Sequence, residues 1–346
     1  MPSKAEFYRQ MAEQVSTQLV GSWKEWTAFL TTAARLYKYP FHEQMMIYAQ
    51  RPDATACAEY DLWNEKMGRY VRRGSKGIAL VDDSGDKLRL RYVFDISDTG
   101  TREHSRTPWL WQLEEQHIGP VSAMLERNYG VAGDDLAQQL TDVAGKLASE
   151  YWDDHQRDFR YIVDGSFLMD YDEAGQEFQF KSAAAISILY TVLERCGLEP
   201  DGHFDRDDFQ AIFSFSTPAA VYALGTAVSE CSRDVLRNIE RTVKTTIRRR
   251  NAERSQHEYE QQERDLLDYR GLPAPEPDPA PAGKSTGQIR QTAPDLPDAA
   301  SPGAVQFDAP VGDSVSAPVG SGADRREPDA ADHAGTAEAE PGSEQG

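Results

Sequence analysis

Cysteine is scarce: the 346 residues hold only Cys57, Cys196 and Cys231. They are widely spaced and odd in number, which argues against a disulfide framework and leaves no C-x-x-C pair for metal or redox work. No stretch approaches about 18 uninterrupted apolar residues, so no membrane-spanning helix is expected. The opening MPSKAEFYRQ is polar and lacks the apolar core of a signal peptide. These absences lead to an expectation of a soluble, cytoplasmic protein. Phosphate-loop, dinucleotide-fold and nucleophile-elbow glycine patterns are missing too. HEQMM at 42–46 begins like a zinc-binding H-E-x-x-H, but Met46 stands where the second histidine is needed. DYDEAG (170–175) and DGHFDRDD (201–208) lack the glycine and glutamate positions of a calcium loop. The expectation is no metal, no cofactor and no enzymatic activity.

Aromatic and basic residues both become sparse after position 270. From 271 to 346 there are 12 of the 19 prolines, one aromatic (Phe307), and 13 acidic against 4 basic residues. Such a segment buries too little apolar surface to offset its ordering entropy, so a disordered acidic tail is expected. It carries −9 of the formal net charge of −20.

The remainder is rich in periodic signals. Ser3 is placed to cap a helix over 3–20, with Phe7, Met11 and Val15 at helical spacing. SWKE at 22–25 reads as a capping box, followed by Trp23, Trp26, Leu30 and Ala34 on one face. Pro40 opens a helix over 40–50, and a short helix is expected over 56–67. The period then changes. RYVRR, GIALV and LRLRYVF are short strand-like runs, and DDSGDK is a hairpin turn signal. In the last run Leu88, Leu90 and Tyr92 alternate with Arg89 and Arg91, which predicts an apolar and a basic face. From 107 onward helices return. Thr-Pro at 107–108 and 217–218 marks two starts, Gly197 a stop, and 218–268 a long final helix whose exposed end is charged. The fold class expected is an α+β N-terminal domain (1–105, helices plus a small antiparallel sheet), a mainly α-helical domain (106–270), and the tail (271–346).

Within this acidic chain one stretch is strongly basic. Lys66, Arg69, Arg72, Arg73 and Lys76 fall in eleven residues without an acid, between Gly68, Gly74 and Gly77. Trp63 and Tyr70 lie beside them, and Arg89 and Arg91 join on the sheet's basic face. Cations interleaved with aromatics suit single-stranded nucleic acid, where phosphates meet Lys/Arg and bases stack on rings. The chain's net acidity does not forbid this. At physiological salt the Debye length is about 8 Å, so local charge decides phosphate contact. A second basic run, from Arg233 to Arg254, suits either a solvated helix flank or an auxiliary phosphate or partner contact.

Residues 37–81 contain Tyr39, Phe41, Gln44, Gln50, Pro52, Ala54, Thr55, Trp63, Gly68, Val71, Gly74, Lys76 and Gly77 at set spacings. This pattern resembles the N-terminal domain of the anti-restriction protein ArdC family, as found in large proteins of conjugative transposons and plasmids. The likeness departs at Glu43, where the family has Asn, and the family's zinc-peptidase half has no counterpart. What the resemblance implies is single-stranded DNA binding in the setting of DNA transfer. It further implies anti-restriction or protection of incoming DNA, with conjugation or replication proteins as possible partners. Two other functions fit the composition: an acidic DNA mimic that occupies restriction enzymes, and a helical adaptor that docks through 218–268.

Overall fold

The computed structural model describes residues 3–82, 88–198 and 204–271. The expected DDSGDK turn lies almost wholly, and the acidic tail from 272 wholly, outside the described residues. Three helices lead: α1 (Lys4–Leu19), α2 (Trp23–Arg35) and α3 (Phe41–Gln50). Ser3 Oγ accepts from the Glu6 amide at 3.1 Å, as the spacing predicted. Phe7, however, is exposed, and α1 buries Ala5, Ala12, Ser16 and Leu19 instead. Ser22 caps the Lys24 amide at 3.3 Å. Glu25 does not complete a capping box; it accepts from the Tyr48 hydroxyl.

The short helix expected over 56–67 does not form as a unit. Cys57–Glu59 is strand β1, and the helical part is confined to 60–66, π-helical over Leu62–Lys66. The Cys57–Glu59 backbone finds better partners in a neighbouring strand. Next come β2 (Tyr70–Val71), β3 (Ile78–Asp82), β4 (Arg89–Asp95) and β5 (Thr99–Gly100). β1, β4 and β3 form an antiparallel sheet with β4 in the middle, and β2 pairs antiparallel with β5.

The register of β4 inverts the expected faces. Arg91 lies opposite Leu80, and Val93 opposite Ile78, on the buried side. Leu88 and Tyr92 are exposed. Buried Val93 and the β3 partners fix this choice, and a shift of one residue would expose all of them.

Four helices complete the chain: α4 (Glu115–Tyr129), α5 (Leu136–Ile162), α6 (Glu173–Cys196) and α7 (Pro218–Gly271). Thr217 Oγ1 caps α7 through the Ala220 amide, as its Thr-Pro start predicts. Gly197 ends α6 at φ 70°, a left-handed conformation that glycine adopts without strain. The first Thr-Pro is not a helix start, since 107–114 runs irregularly before α4. Leu224, Val228, Val235, Ile239 and Val243 of α7 are buried, and residues 248–262 are exposed. All described residues fall in one compact unit. Its main core draws residues from α1 through α7, on both sides of position 105. No helix among the described residues is long and apolar enough to cross a membrane.

Two glycines show how tightly α7 is set. A Cβ on Gly225 would overlap the ring of Phe41, itself held edge-on by Phe29 and Tyr222. Gly145 of α5 has open space at that position. Gly145→Ala should therefore stabilise by about 0.5–1 kcal/mol through helix propensity. Gly225→Ala gains the same propensity but must displace a pinned ring, and is expected to lose about 1–2 kcal/mol net. Urea denaturation of the two variants checks the opposite signs.

Candidate nucleic-acid interface

The basic segment is organised by a carboxylate. Asp95 ends β4 and is 1% exposed. Its Oδ1 accepts from the Thr55 and Ala56 amides at 2.7 and 2.9 Å, and its Oδ2 from the Ser97 amide at 2.9 Å. Burial alone would raise this carboxyl. The donors of Ser97, Ala56 and Thr55 outweigh it and hold Asp95 below its ordinary 3.8. Asp95 thereby caps a single 3₁₀ turn, Ile96–Asp98.

That turn anchors the loop between β2 and β3. The Arg72 amide donates to Asp98 O at 2.9 Å, and Arg72 Nη1 to Ser97 O at 2.7 Å. The Ser75 amide folds back onto Arg72 O at 3.1 Å. Gly74, at φ 91°, supplies a backbone shape that other residues rarely adopt. Arg51 completes the support by pairing with Asp98 Oδ2 at 2.6 Å. The Asp98 carboxylate is thus spent on Arg51 and does not cap the loop. Arg72, Arg73 and Lys76 stand exposed, with no carboxylate paired to them among the described residues.

Tyr70 of β2 is 41% exposed, and its ring lies across Gly100 of β5, where a Cβ would overlap it. The Arg102 guanidinium is 5.6 Å from the ring centroid and donates to Asn64 Oδ1 at 2.8 Å. The segment after β5 returns along the π-helical turn. Ser105 Oγ donates to Gly68 O, and the Arg106 amide to Met67 O, both at 2.8 Å. Exposed Lys66, Arg102 and Arg106 therefore border the same ribbon.

Four expected contact residues are placed otherwise. Trp63 is fully buried and donates through Nε1 to Phe94 O at 2.8 Å, so it supports the sheet and offers no stacking face. Arg69 is 8% exposed, with Nε donating to Thr99 Oγ1 at 2.8 Å; it ties β2 to β5. Arg91 reaches inward to Glu43 and Glu59. Burial would lower its guanidinium, but the Glu43 carboxylate prevails and raises it. These three are structural: the sheet register turns Arg91 inward, and hydrogen bonds to Phe94 and Thr99 hold Trp63 and Arg69 in the interior. Arg89 is exposed but six residues from Asp95 along β4, about 20 Å at strand rise, and so stands apart from the loop.

Arg102 and Arg106 were not anticipated. Their signal was Thr-Gly at 99–100, a partner for the Tyr70 strand, followed by two arginines. Glu103 between them and the separation from Arg72 concealed it. The second basic run is partly neutralised: Arg249 pairs with Glu253, and Arg254 with Glu258. No family model matches this chain, and neither does any curated protein or solved structure.

Proposed function

We propose that the surface formed by residues 66–76 and 102–106 binds single-stranded DNA in the cytoplasm, as part of DNA transfer between cells. The observation that carries the reading is the anchored loop: Arg72, Arg73 and Lys76 are held exposed on a fixed turn whose own carboxylates are engaged elsewhere. Lys66, Arg102 and Arg106 extend the positive surface to six exposed cations, with Glu103 the one acid inside those segments and Glu65 just before the first. Tyr70 supplies a half-exposed ring beside the cations for a base to stack on. The likeness of residues 37–81 to the ArdC N-terminal domain supports the same assignment, including a role in shielding incoming DNA. No step in this reading breaks or forms a covalent bond.

Fluorescence anisotropy of the full chain with labelled oligonucleotides tests it. About five phosphate contacts give a slope of log K against log salt near −3.5 for single strands. The expected loss between 50 and 200 mM salt is about 10²-fold. Single strands should bind tighter than duplexes of the same length, because a stacked duplex offers no free base face to Tyr70. A slope near zero, or a preference for the duplex, overturns the proposal.

A further inference from the structure

A second polar cluster lies away from the basic loop, where the ends of α2 and α6 meet α7. It lines a cavity of ≈ 50 Å³ walled by Tyr37, Trp109 and Trp111. Glu240 is 5% exposed and has both oxygens engaged. Tyr37 Oη donates to Oε2 at 2.6 Å, and Lys38 Nζ to Oε1 at 2.9 Å. Trp111 Nε1 in turn donates to Tyr37 Oη at 3.0 Å.

Arg195 faces this cavity from α6. Its guanidinium stacks 3.8 Å above the Trp111 ring and lies 5.8 Å from the Tyr37 centroid. It has no hydrogen-bond acceptor and no ion pair among the described residues. Burial holds it below its ordinary value. Stacking on indole satisfies the flat face of a guanidinium but none of its five N–H donors. Arg35 also lines the cavity, although its Nε and Nη2 are committed to the Ala54 and Pro52 carbonyls. Among the described residues that line the cavity, Arg35, Lys38 and Arg195 face the single carboxylate of Glu240, which is paired with Lys38 and also acts on Arg195, so positive charge is in excess there. Aromatic walls keep the local dielectric low, and charge is felt more strongly there than at the surface.

We infer that this cavity binds a small oxyanion, of the phosphate or carboxylate class, through the Arg195 guanidinium. A cation would meet repulsion from Arg35 and Arg195. The volume holds a few water-sized groups, which suits a phosphate or carboxylate head. The anion would accept from the N–H edge of Arg195, where a bidentate pair is the favoured geometry.

Calorimetric titration of the full chain at matched ionic strength tests this, with inorganic phosphate in one arm and acetate in the other. A saturable one-to-one isotherm with either anion is expected, and the stronger arm names the class. Arg195→Met keeps apolar cover on Trp111 and should weaken binding at least tenfold. Arg195→Lys keeps the charge but loses the fork, and should weaken it less; it decides the matter if the Met variant fails to fold. Alanine at Arg72, Arg73 and Lys76 should leave this binding unchanged, which separates the cavity from the polynucleotide surface. No saturable binding of either anion by the wild-type chain, or wild-type affinity in both Arg195 variants, overturns the inference.

Discussion

Asp95→Ala should destabilise the protein by about 3–4 kcal/mol, the largest loss expected from any single substitution outside the apolar core. The amides of Thr55, Ala56 and Ser97 all donate to this carboxylate. Removing the acceptor leaves three donors in a buried corner, each costing about 1–3 kcal/mol when unpaired, less what entering water restores. Asp95→Asn retains one oxygen for Thr55 and Ala56 but turns an amide toward Ser97, and should lose about half as much. Urea denaturation measures both; a loss under about 1 kcal/mol for the alanine variant contradicts this role. The pH dependence has a definite sign. The folded carboxyl lies below its unfolded value near 3.8. Its contribution is therefore complete above that pH and drains away as pH falls through the folded value. The wild type should lose this increment in acid, and the alanine variant should have none to lose. Because the 3₁₀ turn under Asp95 also carries the Arg72 loop, Asp95→Ala should weaken DNA binding without touching a phosphate.

The triple replacement Arg72→Ala, Arg73→Ala and Lys76→Ala should lower single-stranded DNA affinity by about 10²-fold at 0.1 M salt. Each lost phosphate contact reduces the salt slope by about 0.7, so the slope should fall toward −1.4. The effect should be the same for every base sequence, since phosphates carry no sequence information. Stability should change little, because these side chains are exposed and make at most one hydrogen bond to the protein, that of Arg72 to Ser97 O. The contrasting variant is Arg69→Ala. Arg69 is buried and joins β2 to β5, so its loss should lower stability first and affinity only through it. Equal affinity losses in folded Arg69→Ala and the triple variant would show that the exposed loop is not the contact surface.

Much of the architecture follows from one-dimensional signals. Ser3 and Thr217 cap helices through side-chain oxygens within three residues, and Gly197 ends one through its own backbone freedom. The spacing of Leu224, Val228, Val235, Ile239 and Val243 sets the buried stripe of α7. Each depends on contacts close in sequence or on a period along a single element. The concentration of cations between Lys66 and Lys76 is equally a property of the sequence.

Which of those cations meet solvent was decided by tertiary structure. Alternation in LRLRYVF defines two faces but not which one is inward. Pairing with Ile78 and Leu80 turned Arg91 toward Glu43, 48 residues away. Trp63 and Arg69 were likewise committed by partners 30 or more residues distant, Phe94 and Thr99. Arg102 and Arg106 joined the surface only because β5 pairs with β2. Charge and period are local quantities that a sequence states outright. Exposure depends on what packs against a side chain, and for these residues the packing partners come from helix α3 and from strands that only folding brings together.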